Sequence, residues 1–356
     1  MRGLDDSTYA TVSAIDREHI VPISPAMLEK DILVREATLA IKDAGQKEGC
    51  QLVFAGGTAL SQAHQIIERM SEDADFRIVV PEGLSSGQTR KLLSMIKAEV
   101  VSLLDKAGFP LVGEMKGRNN NAYMMGEFAY QSRFSGIDEA IRDYLKLEIV
   151  AFAPITPASE LPLATIVDQV TGMVSNEETI LTVSVIDTLA DKLVGYLRRT
   201  SQERAGLTRG DFDHRLVRHI YDIHSIVERL SHSPDQDKGQ FIQELSGLVS
   251  LTIERDIATY GNQNAEFAEN PRKVLQDELS HLQDDDVRVR YGKFCGSMIW
   301  GKTPTFDEAT HNFATLANAA LLVDGAHVER NVVQCGDAPT PAALRRKPGK
   351  PGRGLR

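Results

Sequence analysis

Residues 52–80, LVFAGGTALSQAHQIIERMSEDADFRIVV, limit the possible folds of this chain more than any other stretch. The stretch opens with a short apolar run typical of a strand. Gly56 and Gly57 then break that run, because glycine tolerates turn conformations that other residues avoid. Thr58 fits the N-cap of a helix, and the final apolar run predicts a second strand. The pattern therefore predicts a strand, a glycine turn, a helix and a strand in direct succession.

The residues that follow the two glycines also show a pattern. Leu60, His64 and Ile67 recur at helical spacing and predict one face of the helix. Asp73 and Asp75 follow at the entrance to the second strand. Residues two apart on a strand point to the same side, so these two carboxylates can converge on one point.

A carboxylate pair beside a glycine turn favours phosphate chemistry. Hard divalent cations such as Mg²⁺ take oxygen ligands and keep substrate phosphates as further partners. Free backbone N–H groups at the start of a helix offer a cradle for phosphate. Together these features predict metal-assisted phosphoryl or nucleotidyl transfer. The alternative is a plain glycine turn followed by a polar loop, since Asp-x-Asp alone is common.

The stretch resembles the signature of the AbiEii/AbiGii-type nucleotidyltransferase toxins, within the DNA polymerase β-like superfamily. That signature reads Gly-Gly-Thr-Ala-Leu, a helix, and then Arg-x-Ser-x-Asp-x-Asp. The matching positions here are Gly56, Gly57, Thr58, Ala59, Leu60, Arg69, Ser71, Asp73 and Asp75. The resemblance implies an α+β fold, in which a polymerase β-like nucleotidyltransferase domain with a mixed sheet flanked by helices precedes a helical domain.

A third carboxylate is expected on the strand predicted over 144–152, YLKLEIVAF. Its apolar residues alternate with Lys146 and Glu148, which share the other face. An unpartnered charge inside a sheet is costly, so these two either reach solvent from an edge strand or line a site. The segment is similar to the family's Leu-Lys-x-Glu element. That resemblance implies that Glu148 faces the Asp-x-Asp pair.

Two further elements resemble the family downstream. Leu-Ala-Asp-Lys-Leu at 189–193 is similar to Ala-Glu-Lys-Leu/Ile, with Asp191 in place of Glu, and implies that Lys192 binds the triphosphate. A surface lysine on an amphipathic helix is the alternative. The motif RHIYDIH at 218–224 resembles Arg-Asp-x-Tyr-Asp-Leu-Tyr, but His219 stands where the family has its first aspartate. Asp222 is retained and is a catalytic candidate.

One family element precedes the glycines. Ser24 and Pro25 predict the start of a helix that runs to about residue 43. Within it, Glu29-Lys30-Asp31 resembles the family's Glu-Lys-Asp element. Lys30 and Asp31 either brace the nucleotide pocket or belong to a solvated helix face.

The roles that the resemblance implies are as follows. The metal ligands, for Mg²⁺ or Mn²⁺, are Asp73, Asp75 and Glu148. The residues that bind the NTP are Gly56, Gly57, Thr58, Arg69, Ser71, Lys146 and Lys192. The catalytic residues are Asp73, Asp75, Glu148, Lys192 and Asp222.

Length and composition set broader limits. A chain of 356 residues is long enough for two domains. We expect an N-terminal segment (1–24), a nucleotidyltransferase domain (25–182), a helical domain (183–335) and a disordered basic tail (336–356). The net charge of −10 excludes a protein that is basic as a whole. RNA contact would need a local patch, such as the arginines between 198 and 218, or these may simply be loop and solvated helix-face residues.

Cysteine and histidine usage argue against disulfides and zinc. The three cysteines lack pairing or metal spacing, and no apolar run is long enough to span a bilayer. We therefore expect a reduced, cytoplasmic setting without membrane contact. His214, His219, His224 and His232 recur every five residues or more, so three of them cannot share a helix face.

The resemblance implies the toxin half of a bacterial toxin–antitoxin or phage-abortive-infection pair. Such an enzyme would transfer NMP from an NTP to RNA, with the tRNA acceptor end as the leading acceptor, and would block translation. Two alternatives stay open. One is transfer to a protein or small-molecule hydroxyl, and the other is a catalytically degenerate relative that acts by binding a partner.

Overall fold

The computed structural model describes residues 1–134, 138, 140–208, 210–231 and 237–322. The predicted basic tail, Arg209 and His232 lie outside the described residues. Within the described part, seven strands form one mixed sheet that helices flank, so the predicted α+β class is confirmed.

The sheet places the predicted carboxylate strands at its centre. Its strands are β1 (Gln51–Ala55), β2 (Asp73–Val79), β3 (Lys116–Arg118), β4 (Tyr123–Phe128), β5 (Leu145–Val150), β6 (Ser159–Pro162) and β7 (Thr179–Thr182). They are ordered β3-β4-β5-β2-β1-β7-β6. Strand β2 runs antiparallel to β1 and parallel to β5. Residues 153–181, which follow β5, carry β6 and most of β7 and so extend the same sheet.

Helices precede, interrupt and follow the sheet. They are α1 (Asp6–Arg17), α2 (Pro25–Ile41), α3 (Gly56–Thr58), α4 (Ser86–Lys106), α5 (Ile166–Thr171), α6 (Val185–Arg204), α7 (Arg218–Ser231), α8 (Lys238–Tyr260), α9 (Ala265–Glu269), α10 (Pro271–Leu279), α11 (Asp285–Met298) and α12 (Phe306–Leu322). The described chain is thus helical after β7, as predicted, while the domain boundaries stay predictions. None of these helices is long and apolar enough to cross a bilayer.

Side-chain caps start α2, which carries Lys30 and Asp31, and α6, which carries Lys192. Ser24 Oγ accepts a hydrogen bond from the Met27 N–H (3.3 Å), with Pro25 in the first turn of α2. Ser184 Oγ accepts one from the Asp187 N–H (3.2 Å) at the start of α6. Each such cap is worth about 1 kcal/mol. The carboxylate of Asp187 binds the Ile155 N–H (2.6 Å), so it ties α6 to the chain that leaves β5.

The helix after the glycine turn differs from the prediction. It begins at Gly56, continues as a π-helical turn over Ala59–Ala63 and ends there, so Thr58 lies inside it and is not its N-cap. His64 and Ile67 lie beyond its end. Instead of sharing a helix face, His64 places Nε2 2.8 Å from the Val183 carbonyl oxygen. Long-range contacts have overridden a local helical pattern here.

Candidate active site

The three predicted acids meet on neighbouring strands. In the parallel pairing of β2 with β5, Asp75 lies opposite Glu148 and Asp73 lies opposite Lys146. Burial, and then the neighbouring Glu148 carboxylate, raise the pKa of Tyr123 on the next strand. Burial, followed by the carboxylates of Glu148 and Asp73, raises the pKa of Asp75 to about 7. The sheet therefore concentrates negative charge at this place.

Two cations partly balance that charge. Arg142 Nη1 donates to Asp73 Oδ1 (2.6 Å), and Lys146 Nζ forms an ion pair with Glu148. Burial lowers the pKa of Lys146, but the carboxylates of Asp73 and Glu148 outweigh it and raise the pKa overall. Lys146, predicted to bind the nucleotide, thus contacts a predicted metal ligand.

The glycine turn packs directly against Asp75. Gly56 has a φ of +76°, and a Cβ there would lie 2.3 Å from Asp75 Oδ2. A Cβ on Gly57 would lie 2.5 Å from Arg69 Nη2. Only glycine fits both positions, because any larger residue would collide with a site side chain.

Thr58 lies outside the cavity lining and contacts the start of β2. It is fully buried, its hydroxyl donates to the Asp73 carbonyl oxygen, and it lies 3.0 Å from Ser71 Oγ. The hydroxyl therefore holds the entrance of β2 in place.

A buried ion cluster forms another wall. Arg69 donates through Nε and Nη2 to the two carboxylate oxygens of Asp222, at 2.6 and 2.8 Å. Lys192 Nζ lies 2.6 Å from Asp222 Oδ2. Burial alone would raise the pKa of Asp222, but Arg69 and Lys192 outweigh it and hold this pKa well below its usual range. Burial also lowers the pKa of Lys192, against the opposing effect of Asp222.

A cavity of about 180 Å³ is lined by the glycine turn, the carboxylates of β2 and the ion cluster. The predicted site residues that line it are Gly56, Gly57, Arg69, Ser71, Asp73, Asp75 and Lys192. The other predicted site residues, which lie behind or beside this lining, are Thr58, Lys146, Glu148 and Asp222. Lining residues that the site prediction missed are Arg77, Thr188, Asp191, Arg218 and His219.

Arg77 is the missed residue with the clearest sequence signal. It follows Asp75 by two positions on β2, so strand alternation alone would place it on the same face. Its guanidinium donates to Asp187 Oδ1 (2.9 Å), pairs with Asp191 and lies 4.9 Å from the centre of the Phe152 ring. Arg77 therefore connects the sheet to α6.

His219 lies in the cavity wall next to Lys192. Its Nδ1 lies 3.1 Å from the Lys192 carbonyl oxygen, which can only accept, so this nitrogen carries the proton. Burial, and then the charges of Lys192 and Arg218, lower the pKa of His219 well below its usual value. These surroundings favour the uncharged imidazole at the position where the family signature has an aspartate.

The Glu-Lys-Asp element is buried, so its alternative as a solvated helix face is wrong. Lys30 is 0% exposed and donates to Glu72 Oε2 (2.7 Å) and to the Arg142 carbonyl oxygen (2.6 Å). Asp31 accepts from the Ile166 N–H (2.6 Å) and the Gln62 amide (2.8 Å). Both residues brace elements around the cavity.

The arginine patch is not an open cationic surface. Each of its five described members lies within 3.5 Å of a carboxylate. The pairs are Arg198–Asp256, Arg199–Asp213, Arg204–Glu278, Arg215–Glu72 and Arg218–Asp213. This arrangement favours a role in packing over one in steering RNA.

The donor set at the strand ends fits a hard divalent cation. Asp73, Asp75 and Glu148 offer oxygen ligands only, and the raised pKa of Asp75 marks negative charge that a cation would stabilise. As they stand, no three His, Cys, Asp or Glu side chains among the described residues are gathered closely enough to hold a metal ion. Asp73 and Glu148 are instead paired with Arg142 and Lys146.

The cavity thus combines a glycine turn, paired strand carboxylates and a buried lysine, which is the combination expected of a nucleotidyltransferase. The profile of the AbiEii nucleotidyl transferase toxins of type IV toxin–antitoxin systems matches residues 41–312, and the chain belongs to that family. It is therefore a nucleotidyltransferase. No curated protein sequence matches the chain.

One solved structure similar to this chain is MenT4, the nucleotidyltransferase toxin Rv2826c from Mycobacterium tuberculosis H37Rv. The two share 14% identity with a TM-score of 0.49, over 84% of this chain and 86% of that one. This likeness is too distant to bear on function.

Proposed function

We propose that this protein transfers a nucleoside monophosphate from an NTP to a hydroxyl of RNA, with the tRNA acceptor end as the acceptor. The observation that carries this proposal is the register of β2 and β5, which sets Asp75 opposite Glu148, with Asp73 two residues away on the same strand. The choice of the tRNA acceptor end as the acceptor rests on the family resemblance. An enzyme that modifies tRNA would act in the cytoplasm.

Asp73, Asp75 and Glu148 would hold the divalent cation, with Mg²⁺ as the first choice. When bound, the cation would supply a Lewis acid that withdraws charge from the triphosphate. Accommodating it requires Arg142 and Lys146 to give up their present carboxylate partners or share them. The positively charged side chains of Arg142 and Lys146 are then free to face the phosphates.

The triphosphate fits the cationic side of the cavity. The Gly56-Gly57 turn brings backbone close to the phosphates without side-chain obstruction, and Ser71 adds a hydroxyl at the cavity wall. Lys192 contributes positive charge opposite the carboxylates, and the transition state gains most from charge that is already in place. Arg69 and Asp222 fix the position of that lysine.

The chemical step follows from this arrangement. The acceptor oxygen attacks the α-phosphorus, a new P–O bond forms, and the bond from that phosphorus to the bridging oxygen of pyrophosphate breaks. The hydroxyl proton moves to the Glu148 carboxylate, the base that the family resemblance implies. Lys192 and Lys146 stabilise the charge on the departing pyrophosphate.

The family is named for toxins of type IV toxin–antitoxin systems, and we propose the same role here. A tRNA extended at its acceptor end could not be aminoacylated, so translation would stop. A cognate antitoxin is then expected as a partner.

The proposal is tested by incubating the purified protein and Mg²⁺ with total tRNA and each α-labelled NTP separately. Label should appear on tRNA from at least one NTP and disappear with EDTA. Asp73→Ala and Asp75→Ala should each abolish transfer while leaving the thermal unfolding curve cooperative. Arg133→Ala, which changes an arginine paired with the exposed Asp6, is the matched control and should keep full activity.

Other outcomes would redirect the assignment. Label on protein or on a small molecule, and none on RNA, would replace the acceptor class. Absence of both label transfer and NTP binding would favour a degenerate relative, with His219 as its sign. Transfer retained in Asp75→Ala would refute the proposed site itself.

A further inference from the structure

Arg142 binds Asp73, one of the predicted metal ligands. Its Nη1 lies 2.6 Å from Asp73 Oδ1 and 3.2 Å from Glu72 Oε1. The side chain is only one third exposed, so this guanidinium is held against the site. No sequence motif pointed to it.

The backbone of Arg142 is anchored on both sides. Its N–H donates to Glu72 Oε2 (2.8 Å), and its carbonyl oxygen accepts from Lys30 Nζ (2.6 Å). Lys30 and Glu72 also bond to each other at 2.7 Å and are almost fully buried. A buried pair that binds both backbone groups of one residue fixes where its side chain starts.

Helix α2, which carries Lys30, also binds the chain at Ser132 and Arg133, ahead of Arg142. Glu29 accepts from the Arg133 N–H (2.8 Å) and from the Ser132 hydroxyl. Successive residues of α2, Glu29 and Lys30, thus tether the chain before and at Arg142.

We propose that Arg142 is an internal counter-ion that competes with the divalent cation for Asp73, and that Lys30 and Glu72 are the residues that position it. The inference rests on the proposed function, because it requires a cation at Asp73 and Asp75. A guanidinium 2.6 Å from Asp73 Oδ1 competes with a metal ion for that oxygen, because it uses one of the oxygen's lone pairs and repels a second positive charge. Arg142 therefore neutralises the carboxylates while the site is empty and weakens binding of the free cation.

The consequence is a site that discriminates against a cation arriving alone. A cation that comes with a polyphosphate brings new anionic oxygens for the displaced guanidinium, and arginine binds phosphate strongly through its paired N–H groups. A free cation brings no such replacement. Removing Arg142 should thus strengthen binding of the free cation.

The test measures binding of Mn²⁺ alone to the full chain, by the EPR signal of free Mn²⁺, without nucleotide. Arg142→Ala should bind Mn²⁺ about fivefold more tightly than the unchanged protein, as for loss of a partly exposed ion pair. Arg142→Lys keeps the charge and should stay within about twofold. Arg215→Ala is the matched control, because Arg215 also lies 3.2 Å from Glu72 Oε1 but forms no ion pair with Asp73 in the described part of the chain.

Each result decides between the ideas. If Arg142→Ala and Arg215→Ala tightened Mn²⁺ binding equally, the loss of any nearby positive charge would explain the effect, and the inference would be overturned. Unchanged or weaker Mn²⁺ binding in Arg142→Ala would also overturn it. Asp75→Asn separates this from the proposed function and should weaken Mn²⁺ binding at least about tenfold. If Asp75→Asn had no effect, the cation would not bind at this site, and the proposed function would fall together with the inference.

Discussion

The buried cluster of Arg69, Asp222 and Lys192 makes a strong prediction about stability. Asp222→Asn keeps the shape of the side chain and removes its charge. Asp222 is 0% exposed and Arg69 is 2% exposed, so the substitution leaves two cations facing each other out of water. Removing one partner from a buried ion pair costs about 3–5 kcal/mol. We expect a loss of at least about 3 kcal/mol in the free energy of unfolding.

The measurement is urea unfolding at pH 7, with free energies taken from the midpoints at a common slope. The control is Asp213→Asn, which also lies between two arginines, Arg199 and Arg218, but has a side chain that is 30% exposed. Solvent screens such a pair, so its loss should cost about 1 kcal/mol or less. An equal loss of unfolding free energy in the two variants would refute the reasoning that burial determines how much the cluster stabilises the fold.

The pH dependence gives a second check on the same cluster. The pKa of Asp222 in the folded protein is held well below its usual range, so the carboxylate stabilises the fold fully above its unfolded pKa of about 3.9. That contribution is lost as the pH falls below this value. The difference between Asp222→Asn and the unchanged protein should therefore narrow below about pH 4, and a constant difference would contradict the assignment.

Two further substitutions test the glycine turn and the neutral histidine. Gly56→Ala places a Cβ 2.3 Å from Asp75 Oδ2 at a positive φ, so transfer should fall at least about 100-fold; Gly87→Ala, which meets nothing within 4 Å, should leave it unchanged. Because the pKa of His219 is lowered in the folded state, only the unfolded chain gains its proton near pH 6.5, and stability falls as the pH drops below that value. His219→Gln should thus lose less Tm between pH 7.5 and 5.5 than the unchanged protein, and an equal loss would show that His219 is not the group responsible.

Local sequence patterns were sufficient for much of the fold. The Ser24 cap and the alternation of β5 depend on neighbouring residues, and both were predicted correctly. The placement of Asp73, Asp75 and Glu148 on one face followed from the two-residue period of strands and from the family signature. The catalytic and binding roles of these residues stay predictions.

The failures occurred where distant contacts decide. The predicted helix face of Leu60, His64 and Ile67 breaks at Ala63. Arg77 was missed although its strand position would have revealed it, whereas Arg142 offered no signal in the sequence.

The sequence by itself determined the class of fold, the site strands and the family, because these follow from periodicity and from a dense local motif. Tertiary structure alone decided how the charges pair. Arg69 and Asp222 are 153 residues apart, and Lys30 and Glu72 are 42 apart. Coulomb interactions depend on distance in space and on burial, and neither quantity can be read from separation along the chain.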